Sequence, residues 1–441
     1  MKRIIKTGVL ALMLTLVTQL CGCVMTADEM YCLPRRSERY NNLQAVIDPA
    51  MENLSHAAPM SGDNQQTMQS ADLDGDGVEE VLLFAKGNDE HPLKILIFRL
   101  EDHTYSLLTT IESFGSDFDQ VEYVQLDGQG GLEMVVGRQL SDQVMGNVTV
   151  YRYRDGRIEQ MLNTGYHKFL LCDLDRDELG DLLVITGDSD RDASVAVRYT
   201  MKNGSVERSR EVRLSEPVSQ LKRIIHGNLA GGQRAVFLAS TVDTNTLITD
   251  VFALSNGALT NVALMCENGT SVKTLRNYYV YAEDIDQDGE VEIPSLITMR
   301  SEFLHAGIGG EHLIRWFALD PGGQAVDKMY TYHNYLEGWY MELSADVADR
   351  FCVSREESGC YSFGLWDEGG LALTELWKVY VFTGDDRSEQ AVAEGRFLLM
   401  KTDTVAYAAS LELGGREQGF TQNRLIQAFR LIQSSWYTGE M

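Results

Sequence analysis

Asp284-Ile285-Asp286-Gln287-Asp288-Gly289-Glu290-Val291-Glu292 is one of three acidic nonapeptides whose reading decides the fold. The others are Asp72-Leu73-Asp74-Gly75-Asp76-Gly77-Val78-Glu79-Glu80 and Asp173-Leu174-Asp175-Arg176-Asp177-Glu178-Leu179-Gly180-Asp181. Each sets carboxylates at positions 1, 3, 5 and 9. Like charges this crowded repel unless a cation neutralises them. Alternate residues of an extended or turning segment can point the same way, so positions 1, 3 and 5 can converge on one ion. These are Asp72, Asp74 and Asp76; Asp173, Asp175 and Asp177; and Asp284, Asp286 and Asp288. The main-chain carbonyl at position 7 (Val78, Leu179, Glu290) adds an oxygen, and Glu80, Asp181 and Glu292 close the shell. An all-oxygen set suits calcium, which takes roughly 6–8 oxygens at about 2.3–2.6 Å. Up to three calcium sites follow. Gly77 and Gly289 stand at position 6, where a sharp turn favours positive φ. Glu178 takes that place in the middle loop, at a cost of roughly 1–2 kcal/mol for a left-handed side chain.

An EF-hand would need a glutamate at position 12 between two helices. Position 12 here is Leu83, Val184 and Ser295, in or beside strand-like runs such as Val81-Leu82-Leu83-Phe84 and Leu182-Leu183-Val184-Ile185. The competing reading is a plain Asp/Gly turn between strands. Two degenerate copies lie between the acidic loops. Gln125-Leu126-Asp127-Gly128-Gln129-Gly130-Gly131-Leu132-Glu133 keeps two carboxylates. Asn228-Leu229-Ala230-Gly231-Gly232-Gln233 keeps the turn and none. The five copies start at 72, 125, 173, 228 and 284, a period near 50 that suits one four-stranded blade of a β-propeller.

With this spacing and period the chain resembles the FG-GAP (VCBS-type) repeats, the calcium-binding repeats of integrin α-chain propellers, whose loop reads D-x-D-x-D-G-x-x-[D/E]. The resemblance covers residues 65–335 and is carried by the loops at 72–80, 173–181 and 284–292. It implies a mainly β chain of propeller-like blades, with a structural calcium between strands of a blade. Metal ligands are not carried onto 125–133 or 228–237.

The ends read differently. Lys2, Arg3 and Lys6 precede the apolar run Val9 to Val17, followed by Leu20-Cys21-Gly22-Cys23. A basic start, a short apolar run and a small residue before the cut describe a secretory signal over 1–22. The Leu-x-Gly-Cys ending resembles a bacterial lipobox, which makes Cys23 the lipidated first residue of an extracytoplasmic protein anchored on its membrane. Residues 23–64 read as a tether with a helix over 40–55 bent at Pro49. Residues 1–22 carry three basic side chains and no acid, so the remainder holds 35 basic and 65 acidic ones, a net of −30. That charge argues against nucleic acid or an anionic lipid surface as partner. Cys32, Cys172, Cys266, Cys352 and Cys360 match no zinc spacing, and Cys352 and Cys360 could face each other across a hairpin.

Residues 336–441 lose the acidic loops and read as a small α+β region. Strands are expected at Trp339 to Leu343, Tyr361 to Trp366, Leu376 to Phe382, Phe397 to Lys401 and Val405 to Leu411, with a short helix over 385–394. Thr421 is expected to cap a last helix whose apolar stripe runs Leu425, Phe429, Ile432 and Trp436. There is no HExxH, no Gly-x-Ser-x-Gly and no phosphate-binding glycine loop. The Gly307-Ile308-Gly309-Gly310 stretch reads as a connection, and the aromatic cluster Tyr330, Tyr332, His333, Tyr335, Trp339 and Tyr340 as core. No catalytic residue is assigned. The expected function is a lipid-anchored calcium-binding module for a protein or glycan ligand. The alternatives are a calcium-dependent enzyme acting on extracellular polysaccharide and a structural envelope lipoprotein.

Overall fold

The computed structural model describes residues 38–140, 145–154, 156–188, 193–202, 204–264, 269–277, 280–299, 312–357, 359–369 and 372–433. The signal segment with Cys23, the 307–310 glycines, Cys266 and Trp436 lie outside them. The chain is mainly β, with six antiparallel sheets among the described residues. One compact unit holds the described residues up to Pro59 together with Gln66–Asp72 and Gly77–Phe114. The other holds Met60–Gln65, Leu73–Asp76 and the described residues from Gly115 on.

In the first unit a helix, Glu38–Ala50, lays Leu43 and Ile47 on a five-stranded sheet. Pro49 sits in its last turn, where it ends the helix rather than bending it. The strand Glu80–Lys86 of that sheet is buried from Glu80 through Ala85, so the run Val81-Leu82-Leu83-Phe84 is apolar without alternation because both faces are covered.

Among the described residues the second unit contains five sheets, and the same physics repeats from one neighbouring sheet to the next. On Asp181–Asp188, Leu182 and Val184 pack with Val135, Val148 and Val150 of the 117–166 sheet. Their neighbours Leu183 and Ile185 pack on the opposite face with Val236, Leu238 and Phe252 of the 221–261 sheet. Ala235 and Phe237 then turn to Ile293, Phe317 and Leu319. Period-2 alternation therefore decides which neighbouring sheet a side chain meets, not whether it is buried. Each such aliphatic side chain contributes about 1.5–3 kcal/mol when fully buried.

Two expectations for the C-terminal region need correction. Residue 336 does not separate a sheet from a cap. Ile293–Thr298, His312–Leu319, Ala325–Asn334 and Trp339–Leu343 form one sheet, with Phe429–Leu431 added at its edge. The strands at Phe351–Glu357, Cys360–Trp366, Leu373–Thr383, Val405–Leu411 and Phe397–Lys401 form a further sheet packed on it through Trp339, Phe363 and Trp377. The last helix is also shorter than its stripe. Thr421 caps it by accepting from the Arg424 N–H, but it spans only Gln422–Ala428. Phe429 turns extended and pairs with Met341, because the open edge of Trp339–Leu343 offers backbone partners that a further helical turn would forgo. Tyr332, Trp339 and Tyr340 are buried, in agreement with a core role. Cys352 stands opposite Gly364 and Cys360 opposite Tyr380, so these two cysteines do not face each other. No helix among the described residues is long and apolar enough to cross a membrane.

Candidate metal centre

All five repeat copies occupy the same place, the connection that leads into a strand of a sheet. The loop 173–181 joins Lys168–Cys172 to Asp181–Asp188, and 125–133 joins Asp117–Val124 to Glu133–Gln139. The loop 284–292 is closed by an antiparallel bridge between Glu283 and Glu292 before Ile293–Thr298 begins. Adjacent loops of the second unit touch. The Gly180 N–H donates to the Gln125 carbonyl at 2.8 Å, Arg176 to Asn228 Oδ1 at 3.1 Å, and Asn228 Nδ2 to the Gly289 carbonyl at 2.6 Å. Within the second unit the repeat turns thus form one row.

Their backbone is shared. Positions 4 and 6 are left-handed in every acidic loop: Gly75 and Gly77, Arg176 and Glu178, Gln287 and Gly289. Glycine at position 6 is explained by that geometry, and the middle loop holds it with two side chains present. Changing Glu178, exposed at φ 70°, to glycine is expected to stabilise the chain by about 1 kcal/mol in urea denaturation, by relieving left-handed strain. The position-6 N–H donates to the position-1 carboxylate each time: Gly77 to Asp72 at 3.0 Å, Glu178 to Asp173 at 3.3 Å, Gly289 to Asp284 at 2.9 Å. Position 9 has a fixed task that spacing alone does not reveal. Its carboxylate accepts the N–H of position 2 and so seals the loop: Glu133 from Leu126 at 2.7 Å, Asp181 from Leu174 at 3.0 Å, Glu292 from Ile285 at 3.1 Å.

The carboxylates that come together are fewer than the spacing suggests. Three groups bring their oxygens within 4.8 Å of one another: Asp72, Asp74 and Glu80; Asp173, Asp175 and Asp177; Asp284, Asp286 and Glu292. These clusters could hold metal ions. Asp76, Asp181 and Asp288 stand outside them. Asp288 is taken by Lys328 at 2.6 Å and by the Glu290 N–H at 2.8 Å. Burial raises its carboxyl, but the Lys328 hydrogen bond and charge outweigh this and leave it lowered. Glu290 accepts from Lys328 at 2.6 Å and from the Gly231 N–H at 2.7 Å, which leaves its main-chain carbonyl as its candidate ligand. Val78 and Leu179 hold the same position in the other loops.

The second and third clusters differ in what faces them. In the second, Arg198 of the adjacent strand Ala193–Lys202 reaches Asp175 at 2.5 Å and Asp181 at 2.7 Å. Burial raises Asp175, yet the Arg198 hydrogen bond and charge bring it below its ordinary value. In the third, no guanidinium arrives. Glu292 is fully buried and one of its oxygens has no partner, as has one oxygen of Asp284. Burial, then the charges of Asp286, Asp288 and Asp284, push the Glu292 carboxyl up to about 8. Burial also raises Asp286. The third loop is therefore an under-compensated acidic centre, a donor set that fits a hard cation. Beside it opens a cavity of about 630 Å³ lined by Asp284, Asp286, Lys328, Tyr340, Glu342 and Arg430.

No family model and no curated protein matches this sequence. Among solved structures the chain is similar to the exotype rhamnogalacturonan lyase YesX, at 12% identity and TM-score 0.31 over 81% of this chain and 76% of that one. It is similar to the rhamnogalacturonan lyase YesW at 11% and 0.30, over 80% and 74%. It is also similar to a protein from Lactobacillus plantarum at 11% and 0.26, over 72% and 85%. Likenesses this low carry no argument about fold or activity.

Proposed function

We propose that the chain is a calcium-binding repeat module of propeller-like blades, held outside the cell membrane by a lipid on Cys23, with calcium in the third loop. The supporting observation is the pair of buried, unpartnered carboxylate oxygens on Asp284 and Glu292. Asp284, Asp286, Glu292 and the Glu290 carbonyl would hold the ion, and calcium would supply the charge that the buried acids lack. Remaining positions on calcium accept water or ligand hydroxyls. The adjoining cavity, with Arg430, Tyr340 and Lys328 on its walls, suits a hydroxyl-rich ligand, so a glycan is favoured over an apolar peptide.

Two measurements test this. Calcium should raise the thermal midpoint of the wild-type chain relative to excess chelator, by mass action on the folded state, and should raise that of Asp286→Asn less. In affinity electrophoresis, polysaccharide-loaded gels should retard the protein in calcium and less so in chelator or with Arg430→Ala. Equal midpoints with and without calcium would remove the metal reading. Retardation indifferent to both calcium and Arg430 would remove the cavity from it.

A further inference from the structure

We propose that Arg198 takes the cation's place in the second loop, so that loops of one spacing have different occupants: a guanidinium at 173–181 and calcium at 284–292. The inference deepens the calcium reading of the third loop and rests on it for the contrast. Both oxygens of Asp181 are committed, one to the Leu174 N–H at 3.0 Å and the other to Arg198 at 2.7 Å. Arg198 also holds Asp175 at 2.5 Å and is itself 7% exposed. A dication at the Asp173, Asp175 and Asp177 cluster would share Asp175 with that guanidinium, and closing its shell with Asp181 would displace the guanidinium and strand it, buried and unpaired, beside a second positive charge. The degenerate loop 125–133 shows the same solution reduced to its minimum. It keeps acids only at positions 3 and 9, Asp127 and Glu133, and Arg152 of the next strand binds Asp127 at 3.0 Å. Those are the two positions that Arg198 engages. In the sheet of the third loop the strand register gives these places to other residues. Arg198 pairs with Leu183 at position 11, where Trp316 pairs with Pro294. Arg152 lies one residue beyond the Met134–Tyr151 pair that follows position 9, where Ala318 lies one residue beyond the Ile293–Phe317 pair. The Trp316 indole donates to Thr331 at 2.7 Å, and Ala318 has nothing to offer.

The test is calcium counting by equilibrium dialysis on the chain beginning at Cys23. Neutralising the third loop (Asp284→Asn with Asp286→Asn) should remove one bound calcium from the wild type. Neutralising the second (Asp173→Asn with Asp177→Asn) should remove none. Arg198→Ala should gain one calcium per chain, and adding Asp173→Asn should remove it again. A wild type that loses an ion with the second loop's acids, or an Arg198→Ala chain that gains none, overturns the proposal. The wild-type arms do not depend on Arg198→Ala folding. A wild type that binds no calcium anywhere sinks the calcium reading alone, and the Arg198→Ala arm still decides this one.

Discussion

Replacing Arg198 with alanine in calcium-free buffer is expected to lower stability by about 3–5 kcal/mol, the cost of deleting one partner of a buried ion pair. The reason is local. Asp181 is nearly fully buried, and burial already holds its carboxyl above the ordinary value even with the guanidinium present. Without Arg198, Asp175 and Asp181 would lie beside Asp173 and Asp177 with that counter-charge gone. Arg198→Lys keeps one charge but not the fork that spans two carboxylates, so an intermediate loss is expected. Calcium should recover much of the deficit in Arg198→Ala and little in Arg198→Lys. Denaturant midpoints with and without calcium measure all three. A loss under about 1 kcal/mol, as for an exposed pair, would mean the guanidinium is incidental to the loop.

The second large effect concerns Glu292. Glu292→Gln should abolish the third loop's calcium while stabilising the calcium-free chain at neutral pH. Its folded carboxyl is raised, by burial first and by Asp286, Asp288 and Asp284 after it, from an ordinary 4.5 to about 8. A raised group binds its proton more tightly when folded. Its contribution to stability is therefore full below about pH 4.5 and is lost as pH rises through about 8. In the calcium-free wild type, stability should fall across that window, and in Glu292→Gln the fall should be shallower. Calcium binding expels the same proton, so affinity for the wild-type third loop should rise with pH over the same range. The Gln side chain can still accept the Ile285 N–H that Glu292 accepts, so the loop keeps its seal. Stability profiles from pH 4 to 9 separate the cases. A calcium-free wild type that gains stability between pH 5 and 8 relative to Glu292→Gln would contradict the under-compensated centre.

Some of this architecture was legible in the residues and some was not. The repeat was legible because it is written locally, in aspartates two apart, glycines at the turn and a following apolar run, all within about fifteen residues. Five strands between Trp339 and Leu411 were legible for the same reason, while Phe351–Glu357, whose run ends in Ser354-Arg355-Glu356-Glu357, was not. Their grouping was not, because an apolar run does not say which edge it joins, and Phe429 left the helical stripe for an edge strand supplied by Trp339–Met341. The role of Arg198 was hidden by distance along the chain, since an isolated arginine in a strand reads as a solvated charge. A weak signal existed. Arg99 follows Glu80, and Arg152 follows Glu133, by the same 19 residues, and Arg198 follows Asp181 by 17. After Glu292 the strand His312–Leu319 offers only Arg315, which pairs with Asp327. Equal carboxylate spacing therefore did not mean equal sites, because the neighbouring strand sets the charge that each loop still needs.

The contrast to be tested is a third loop that holds calcium where the second holds an arginine. A crystal structure grown in calcium, with anomalous differences collected, examines both at once. The expected result is an anomalous peak among Asp284, Asp286, the Glu290 carbonyl and Glu292, and none between Asp175 and Asp181, where the Arg198 guanidinium remains. No peak in the third loop, or a peak of equal height in the second with Arg198 turned away, would contradict it.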